Sequence, residues 1–392
     1  MKDLQHTFSP LGSLSPSVTL ALAARAKELK KQGLDVYSMS VGEPDFDTPQ
    51  AIKEAGINAI NEGKVRYIAS SGLPELKEEI VKKMAEKGVK TTADNVIVST
   101  GAKFALFEAI TALCGVGDEV IVFAPFWLSY PEMVKASSAK TVIVQTKAEN
   151  DFAPTLEDLE KAITEKTKLI IVNSPNNPTG AVYSEKTMRM IADAAVKHNI
   201  MVLSDEIYEK LVYDDQIKPV SMASLGDKIA ELTITVNGFS KAYAMTGWRL
   251  GYLIAPNWLI KRMAALQSHA TSNATTFVQY AAVSALQGKA DADVKNMVET
   301  FARRRILLCK LLKEIPQISF IEPKGAFYVM CNIARTGKTA ADFAKELLEK
   351  KLLTVVPCEA FGAPEYIRLS YACSEDQIKE AIKRLKEFCA EL

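Results

Sequence analysis

One lysine stands out because it closely follows a run of residues that is typical of a β-strand. Residues 232–236 are apolar or β-branched, Ser240 and Lys241 come after a short turn, and Arg249 lies eight positions further on. An amine held on such a fixed backbone can condense with an aldehyde to form a Schiff base. Ser240 and Arg249 would hold an anion near that amine. The spacing therefore indicates covalent chemistry at Lys241 beside an anionic group.

A carboxylate ends a second apolar run. Asp205 follows residues 201–203, which we predict to be a strand buried on both faces, and Tyr208 comes three residues later. An unpaired buried aspartate is costly, so Asp205 should face a cation. A protonated pyridine nitrogen would be such a cation, and Tyr208 could then reach a phenolic oxygen on the same ring. An ordinary salt bridge or a helix cap is the structural alternative for Asp205.

Two further strand ends carry small or turn-forming residues. The apolar residues 96–98 lead through Gly101 and Ala102 into a predicted helix, whose free N–H groups suit a phosphate. A turn of this kind also serves packing alone in many βα units. Residues 173–180 are rich in Asn, Pro and Gly. They form either a plain turn or a rigid support from which Asn177 contacts a ring substituent.

Together, the four strand ends supply an anchoring lysine, a partner for a pyridinium, a donor to a ring oxygen and a phosphate site. Ligands of open parallel sheets bind at the carboxyl ends of the strands, where these residues would meet. The combination predicts pyridoxal 5'-phosphate as the cofactor. A nucleotide at Gly101 is the weaker alternative, because the turn lacks both the Walker ending and the dinucleotide glycine spacing.

The elements that must position these residues alternate along the chain. Apolar runs separated by helical patterns predict an α/β fold with a mostly parallel, doubly covered sheet. We predict a large cofactor-binding domain at residues 48–290 and a smaller α+β domain at residues 291–392. An N-terminal arm and helix, residues 1–47, would join the smaller domain.

Several local features are predicted within that frame. A long helical tract is expected over residues 257–313, and its Arg303, Arg304 and Arg305 are interpreted as a solvated helix face. Residues 318–330 should be extended. Ser374, three positions before a glutamine, should cap the last helix.

Composition limits the classes of function. The chain has 392 residues, which favours two domains, and its net charge of +1 gives no reason to expect a nucleic acid or a membrane as partner. No run approaches the roughly 20 apolar residues of a membrane span, and we expect a cytoplasmic protein. The six cysteines contain no Cys-x-x-Cys pair and the three histidines are far apart. Buried free thiols and no metal site are therefore predicted.

The chain resembles the class I, fold-type I pyridoxal-phosphate aminotransferases, most closely their bacterial aspartate aminotransferase branch. The resemblance rests on residues 42–46 (GEPDF), 173–180 (NSPNNPTG), 240–241 (SK) and 366–371 (YIRLSY), and it covers almost the whole chain. It implies a homodimer that shares its active sites across the interface. The substrates would be amino acids and 2-oxo acids.

The resemblance also implies individual roles. Lys241 would bind the cofactor covalently and, once freed, move the substrate proton, while Asp205 would pair with the pyridine nitrogen. Tyr208 and Asn177 would contact the phenolic oxygen, and Trp127 would stack on the ring. The phosphate would be held by a further set of residues: Gly101, Ala102, Ser240, Arg249 and, from the partner subunit, Tyr67.

Substrate recognition is implied in the same way. Arg368 would clamp the α-carboxylate with two parallel hydrogen bonds, and Gly42 would add a backbone contact. Lys103 would bind the distal carboxylate of aspartate or glutamate, the alternative being a solvated lysine. Its helpers would be Ser17, Thr19 and, from the neighbouring subunit, Ser272. Relatives that also transaminate prephenate carry the same threonine and lysine, so this substrate is a further possibility.

The expected reaction is a ping-pong transamination between a dicarboxylic amino acid and a 2-oxo acid. A carbon–sulfur β-lyase remains an alternative, because such enzymes share the fold and the lysine. A binding or regulatory module without turnover is the alternative from another class. It is disfavoured because the sequence contains the full set of residues.

Overall fold

The computed structural model describes residues 12, 14–16, 18–214 and 216–392. Its helices are α1 (Val18–Lys31), α2 (Gln50–Asn61), α3 (Pro74–Glu86), α4 (Ala102–Leu113), α5 (Ser129–Ala136), α6 (Leu156–Ala162), α7 (Glu185–His198), α8 (Asp227–Ala230), α9 (Asn257–Ala270), α10 (Thr276–Leu286), α11 (Asp291–Leu312), α12 (Ala340–Lys351) and α13 (Glu375–Ala390). Its strands are β1 (Tyr37–Ser38), β2 (Val96–Ser99), β3 (Glu119–Ala124), β4 (Lys140–Gln145), β5 (Thr167–Asn173), β6 (Met201–Asp205), β7 (Thr233–Gly238), β8 (Gly251–Ile254), β9 (Ser319–Phe320), β10 (Tyr328–Asn332), β11 (Leu353–Thr354), β12 (Val356–Pro357) and β13 (Tyr366–Ser370).

The larger sheet has seven strands in the order β2-β8-β7-β6-β5-β3-β4. Only β8 is antiparallel to its neighbours. Successive residues of the inner strands enter different apolar cores: Leu169 and Ile171 of β5 pack in one, Ile170 and Val172 in another. Helices cover both faces, which explains the continuous apolar runs and confirms the predicted α/β class.

Five strands that precede predicted site residues have their carboxyl ends at one edge of this sheet. Strands β3, β5, β6 and β7 are parallel, and β2 shares their direction because β8 is antiparallel to both β2 and β7. The chain leaves this edge at Ser99, Asn173, Asp205 and Gly238. The sequence motifs at these strand ends are therefore brought together.

A smaller unit combines the two ends of the chain. Strands β12, β13, β10 and β9 form an antiparallel sheet, and β1 pairs in parallel with β11 through Tyr37 and Leu353. Helices α12 and α13 pack on these strands. This arrangement agrees with a smaller domain joined by the N-terminal segment. The boundaries drawn at residues 47 and 290 stay a prediction.

Several local expectations can be compared with the structure. The capping box at Ser374 is confirmed. The helical tract consists of three helices, α9, α10 and α11, and the stretch over residues 318–330 contains β9 and the start of β10, separated by a turn. All six cysteines are buried as free thiols. Among the described residues, no helix is both long and apolar enough to cross a bilayer.

The interpretation of the three arginines as a solvated face was wrong for Arg304. Arg304 is 8% exposed, and its guanidinium donates two hydrogen bonds to the carboxylate of Asp45, at 2.7 and 2.9 Å. It also lies over the ring of Phe46, 5.4 Å from the centroid. Three consecutive helical residues span most of a turn, so one of them can face the core while Arg303 stays exposed. This pair ties α11 to the segment that follows β1.

Candidate active site

A cavity of about 450 Å³ opens at the carboxyl edge of the large sheet. Residues of the smaller unit complete its wall, so the cavity lies where the two units meet. Most of the residues predicted for the site line it: Thr19, Gly42, Ala102, Lys103, Trp127, Asn177, Asp205, Tyr208, Ser240, Lys241, Arg249 and Arg368.

Lys241 lies in this cavity just beyond the end of β7. Its Nζ donates a hydrogen bond to the carbonyl oxygen of Gly42. Burial lowers the pKa of Lys241 to about 8, and the nearby cations Arg368 and Arg249 act in the same direction, while Glu43 opposes them. A pKa near neutrality leaves part of the amine uncharged, the form that attacks carbonyl groups and accepts protons.

Asp205 is held at the end of β6 with little contact with water. Its side chain is 3% exposed, the hydroxyl of Tyr130 donates to Oδ2 at 2.6 Å, and the Ile207 N–H donates to Oδ1 at 3.2 Å. Burial raises the pKa of Asp205 to about 6, whereas these two hydrogen bonds and the charge of Lys241 lower it. A cationic ring facing this carboxylate would favour its ionised form further.

Two tyrosines lie beside Asp205 at the boundary with the smaller unit. The hydroxyl groups of Tyr208 and Tyr328 are 3.1 Å apart and hydrogen-bonded. Burial raises the pKa of both phenols, so they are neutral donors at physiological pH. Tyr208 is one of the residues predicted for the site and lines the cavity, whereas Tyr328 was not foreseen.

Arg368 on β13 has the surroundings of an anion site. It is 2% exposed, donates from Nη1 to Oδ1 of Asn177 at 2.9 Å and from Nη2 to the carbonyl oxygen of Ser40 at 3.1 Å. Its guanidinium also lies over the ring of Tyr328, 4.3 Å from the centroid. Its Nε is buried and has no hydrogen-bond partner among the described residues. A fixed, incompletely satisfied guanidinium suits a carboxylate ligand.

The turn between β2 and α4 can receive a phosphate. Gly101 precedes α4 with a φ of 85°, and a Cβ built at this position would lie 2.5 Å from Nη2 of Arg249. Only glycine therefore allows both the backbone conformation and the approach of the guanidinium. Arg249 is held by a hydrogen bond from Nη1 to the carbonyl oxygen of Thr246 at 2.8 Å. The first N–H groups of α4, beginning at Ala102, add donors of the kind that bind anions at helix N-termini.

Lys103 and Trp127 lie together on another part of the wall. The Lys103 Nζ is 4.8 Å from the centroid of the indole ring. Burial lowers the pKa of Lys103, and Arg249 lowers it as well. Thr19 of α1 lines the same cavity.

Of the predicted residues that the structure describes, Gly101, Tyr67 and Ser272 are not among those that line the cavity. Tyr67 is 86% exposed and Ser272 is also on the surface, where a residue contributed to a neighbouring subunit would lie. Their roles stay predictions. Ser17 lies outside the described residues.

The lining residues that sequence reasoning missed include Tyr130, Tyr328 and Glu43, each with a direct partner. Tyr130 lies three residues after Trp127 and bonds Asp205, and Glu43 accepts a hydrogen bond from Thr246 at 2.7 Å. A tyrosine three residues after the tryptophan predicted to stack on the ring was the available signal for Tyr130. Tyr328 gave no such signal, because only the packing of β10 brings it to the cavity.

The donor set fits pyridoxal phosphate. A buried carboxylate can face a pyridinium, an amine of lowered pKa can meet the aldehyde, and a helix N-terminus with Arg249 can hold the phosphate. The buried, partnerless Nε of Arg368 leaves a donor for a substrate carboxylate. The side chains present thus match each part of the cofactor predicted from the sequence.

Comparisons with known proteins agree with this site. Residues 35–385 match the family "Aminotransferase class I and II". A probable aspartate/prephenate aminotransferase of Aquifex aeolicus is 45% identical over 389 residues, covering 98% of each chain. The aspartate aminotransferase of Bacillus subtilis is 43% identical over 384 residues, covering 96% of this chain and 97% of that protein.

A solved structure is similar as well. The aspartate aminotransferase of Thermus thermophilus with maleate superposes with a TM-score of 0.94 at 40% identity, covering 98% of this chain and 100% of that one. Family, relatives and structure agree over almost the full length. This chain therefore belongs to the class I and II aminotransferases and is a pyridoxal-phosphate-dependent aminotransferase.

Proposed function

We propose that the enzyme transfers the amino group between a dicarboxylic amino acid, aspartate or glutamate, and a 2-oxo acid in two half-reactions. The observation that carries this specificity is the number of cations in the cavity: with Lys241 and Arg249 assigned to the cofactor, Lys103 and Arg368 are available for two carboxylates. Arg368 would bind the α-carboxylate and Lys103 the distal carboxylate. The names of the relatives support the same pair, and maleate, present with the Thermus thermophilus structure, is itself a dicarboxylate.

The cofactor would be held by the residues at the sheet edge. Pyridoxal phosphate supplies an electron-withdrawing ring that acidifies the α-hydrogen of a bound amino acid. Asp205 would keep the ring nitrogen protonated, and Tyr208 with Asn177 would donate to the ring oxygen. Trp127 would cover one face of the ring. The phosphate would lie among Gly101, Ala102, Ser240 and Arg249.

Lys241 would both anchor the cofactor and carry the proton. Its pKa of about 8 supports this role, because a substantial fraction of the amine is neutral near physiological pH. Carriage of the α-proton by one amine requires that water be kept away. The smaller unit would exclude it, since Gly42 and Arg368 close the cavity from that side.

We also propose a homodimer with shared active sites. Ile57, Ile60, Val65 and Tyr67 are between 48% and 86% exposed and lie close together in sequence, around the end of α2. Large apolar side chains grouped on a surface often mark an interface. Tyr67 would then reach the partner's cofactor phosphate, and Ser272 the partner's substrate. Sedimentation should give twice the 42.9 kDa of the chain, and a monomer with full activity would overturn this arrangement.

Prephenate remains a second candidate substrate, because the Aquifex aeolicus relative is named for it. It also carries two carboxylates, so the same two cations could bind it. A panel of half-reactions with aspartate, glutamate, alanine, phenylalanine and arogenate, followed by the absorbance of the cofactor, separates these possibilities. Release of pyruvate and ammonia without any 2-oxo acid would instead indicate a β-lyase.

A variant of Lys103 tests the specificity directly. Lys103→Met should lower kcat/KM for aspartate and glutamate by about 10- to 100-fold, the value of a charged hydrogen bond, and leave alanine unchanged. The exposed Lys147 does not line the cavity, and Lys147→Met provides the matched control. Equal losses of kcat/KM with alanine and aspartate would show that Lys103 does not recognise the distal carboxylate.

The anchoring role of Lys241 has its own test. Borohydride should fix the cofactor covalently to Lys241 in the parent protein, and mass spectrometry of the peptides should locate it there. Lys241→Ala should abolish this attachment and lower turnover by more than about 1,000-fold. Attachment at another lysine would contradict the assignment.

A further inference from the structure

The turn that carries Asp205 and Tyr208 has a second side. Residues 205–209 leave β6 with Asp205 and Tyr208 on the cavity, whereas Glu206 and Glu209 do not line it. Both glutamates instead face Lys87, which follows the end of α3. One short segment therefore presents two predicted site residues to the front and two carboxylates to the rear.

Glu206 is the most buried member of this rear cluster. It is 4% exposed, and Ser221 and Ser204 donate hydrogen bonds to its Oε1 at 2.8 and 3.2 Å. Its other carboxylate oxygen lies 3.9 Å from the Nζ of Lys87, which also contacts Glu209. Burial raises the pKa of Glu206 to about 7, and Lys87 acts against this rise. Lys87 is thus the cation that favours the ionised form of a buried carboxyl next to Asp205 in the chain.

A small cavity extends from this cluster toward the next strand. It measures about 90 Å³, and Lys87, Glu209 and Asn237 are among the residues that line it. The Nδ2 of Asn237, near the end of β7, is buried and has no hydrogen-bond partner among the described residues. The space is sufficient for at least one water molecule between this amide and the cluster. The rear cluster therefore adjoins both strands whose ends carry Asp205 and Lys241.

Glu206 is coupled through the backbone to the neighbouring residue Asp205 and to strand β7. Asp205 and Glu206 are consecutive, and the Glu206 N–H donates to the carbonyl oxygen of Val236 on β7 at 2.9 Å. A shift of the Glu206 side chain would therefore be transmitted through the backbone to the carboxylate facing the cofactor. Displacements of about 1 Å in catalytic groups commonly cost large factors in rate.

We propose that Lys87 is a positioning residue of the cofactor site, which acts through Glu206 and Glu209 to hold the segment of residues 205–209 in register. Lys87 touches neither cofactor nor substrate. The inference rests on the proposed roles of Asp205 and Tyr208, and it predicts that a change behind the sheet alters cofactor binding and the catalytic constant.

The test compares Lys87→Met with a variant that removes a similar ion pair in the smaller unit. Lys338 pairs with Glu346 at 2.6 Å, with side chains 25% and 26% exposed, similar to the 27% and 17% of Lys87 and Glu209. Lys338 precedes α12 in the smaller unit and does not line the cavity. Lys338→Met therefore controls for the general loss of a half-buried ion pair.

The expected outcome is specific to Lys87. Lys87→Met should raise the dissociation constant of pyridoxal phosphate and lower kcat by about 10- to 100-fold each, with the KM for aspartate changed less than about threefold. Lys338→Met should change none of these. Lys87→Arg should restore most of the affinity, and Lys87→Met/Glu206→Gln should be less impaired than Lys87→Met because the neutral amide replaces the carboxyl that has lost its cation.

Other outcomes have defined meanings. If Lys87→Met only lowers the melting temperature, as Lys338→Met does, and keeps parental cofactor affinity and kcat, the inference is wrong. If Lys87→Met does not fold, Glu209→Gln, which keeps the Lys87–Glu206 pair, should show a smaller loss in the same two quantities; parental values would refute the inference. Asp205→Asn serves as the reference. Should it leave cofactor binding intact, the site assignment fails rather than the role of Lys87.

Discussion

Two buried carboxyl groups of the large unit, Asp205 and Glu108, have similar burial and different surroundings. Asp205 ends β6, and Glu108 lies on α4 and accepts a hydrogen bond from Ser99 at the end of β2, at 2.8 Å. Burial raises the pKa of both, to about 6 for Asp205 and to about 7 for Glu108. Desolvation alone therefore does not distinguish a site residue from a structural one.

Their partners separate the two groups. Asp205 accepts hydrogen bonds from the hydroxyl of Tyr130 and from a backbone N–H, and it lines the large cavity. The charge of Lys241 lowers its pKa. Among the described residues, Glu108 accepts a side-chain hydrogen bond from Ser99 alone, and its Oε1 has no hydrogen-bond partner. With a pKa of about 7, Glu108 is partly protonated at neutral pH, whereas the hydrogen bonds and the charge of Lys241 favour the ionised form of Asp205. The difference shows that an adjacent cation and an open cavity, in addition to burial, mark the functional carboxylate.

The largest effect should come from removing the charge of Asp205. Asp205→Asn should lower kcat by about 100- to 1,000-fold, because the carboxylate no longer stabilises a protonated ring. Single-turnover rates with aspartate measure this loss. Glu108→Gln, the matched removal of a buried carboxyl, should change kcat less than about twofold. Comparable losses in the two variants would erase the distinction between the groups.

Tyr130→Phe should make the surroundings of Asp205 more similar to those of Glu108, because it removes one hydrogen bond to the carboxylate. Its hydrogen bond lowers the pKa of Asp205, so its removal should raise that pKa and shift the acidic limb of the kcat profile to higher pH. Loss of a hydrogen bond to a charged group should cost about tenfold in kcat. A pH–rate profile of the purified variant measures both effects. An unchanged acidic limb would show that Tyr130 does not support the ionised form.

Glu43→Gln tests the charges on the other side of the cavity. Glu43 raises the pKa of Lys241, so the variant should have a larger fraction of neutral amine at neutral pH. The rate at which apoprotein captures added pyridoxal phosphate should then rise at lower pH than in the parent. Thr246→Val keeps the charge of Glu43 but removes its 2.7 Å hydrogen bond, and it should leave this pH profile in place. A shift in both variants would assign the effect to the contact instead of the charge.

The smallest effect on activity, and a distinct effect on stability, is expected for Glu108→Gln. Because the pKa of Glu108 is raised on folding from an ordinary 4.5 to about 7, its protonated form favours the folded state below pH 4.5. This contribution is lost as the pH rises through 7. Relative to the parent, Glu108→Gln should therefore gain up to about 3 kcal/mol in the free energy of unfolding between pH 5 and pH 8. Denaturant titrations at both pH values measure it, and a constant difference would mean that Glu108 is not protonated.

The strand-end residues could be predicted from the sequence for a simple physical reason. Apolar runs identify the strands, parallel strands end at one edge, and Lys241, Asp205 and Asn177 directly follow such runs. Arg368 lies on a strand of the smaller unit, and only family resemblance indicated it. The fold class followed from the same alternation of strands and helices.

Residues that depend on tertiary packing were not predictable in this way. Tyr328 reaches the cavity only because β10 packs against the large unit, and the partner of Arg304 is 259 positions away. Lys87 lies behind the sheet, where no local pattern links it to Glu206. Local periodicity reports which face of an element is apolar, but it does not report which distant chain segment covers that face.

The pairing of β1 with β11 has a consequence for the order in which the enzyme becomes competent during synthesis. Ser38 and Thr354 are hydrogen-bonded at 3.0 Å and lie 316 positions apart in the chain. Strand β1 therefore cannot pair with β11 until translation is nearly complete. Asp205 and Lys241 are likewise synthesised well before Arg368. The cavity that contains all three residues is therefore complete only when the last strands of the chain have been made.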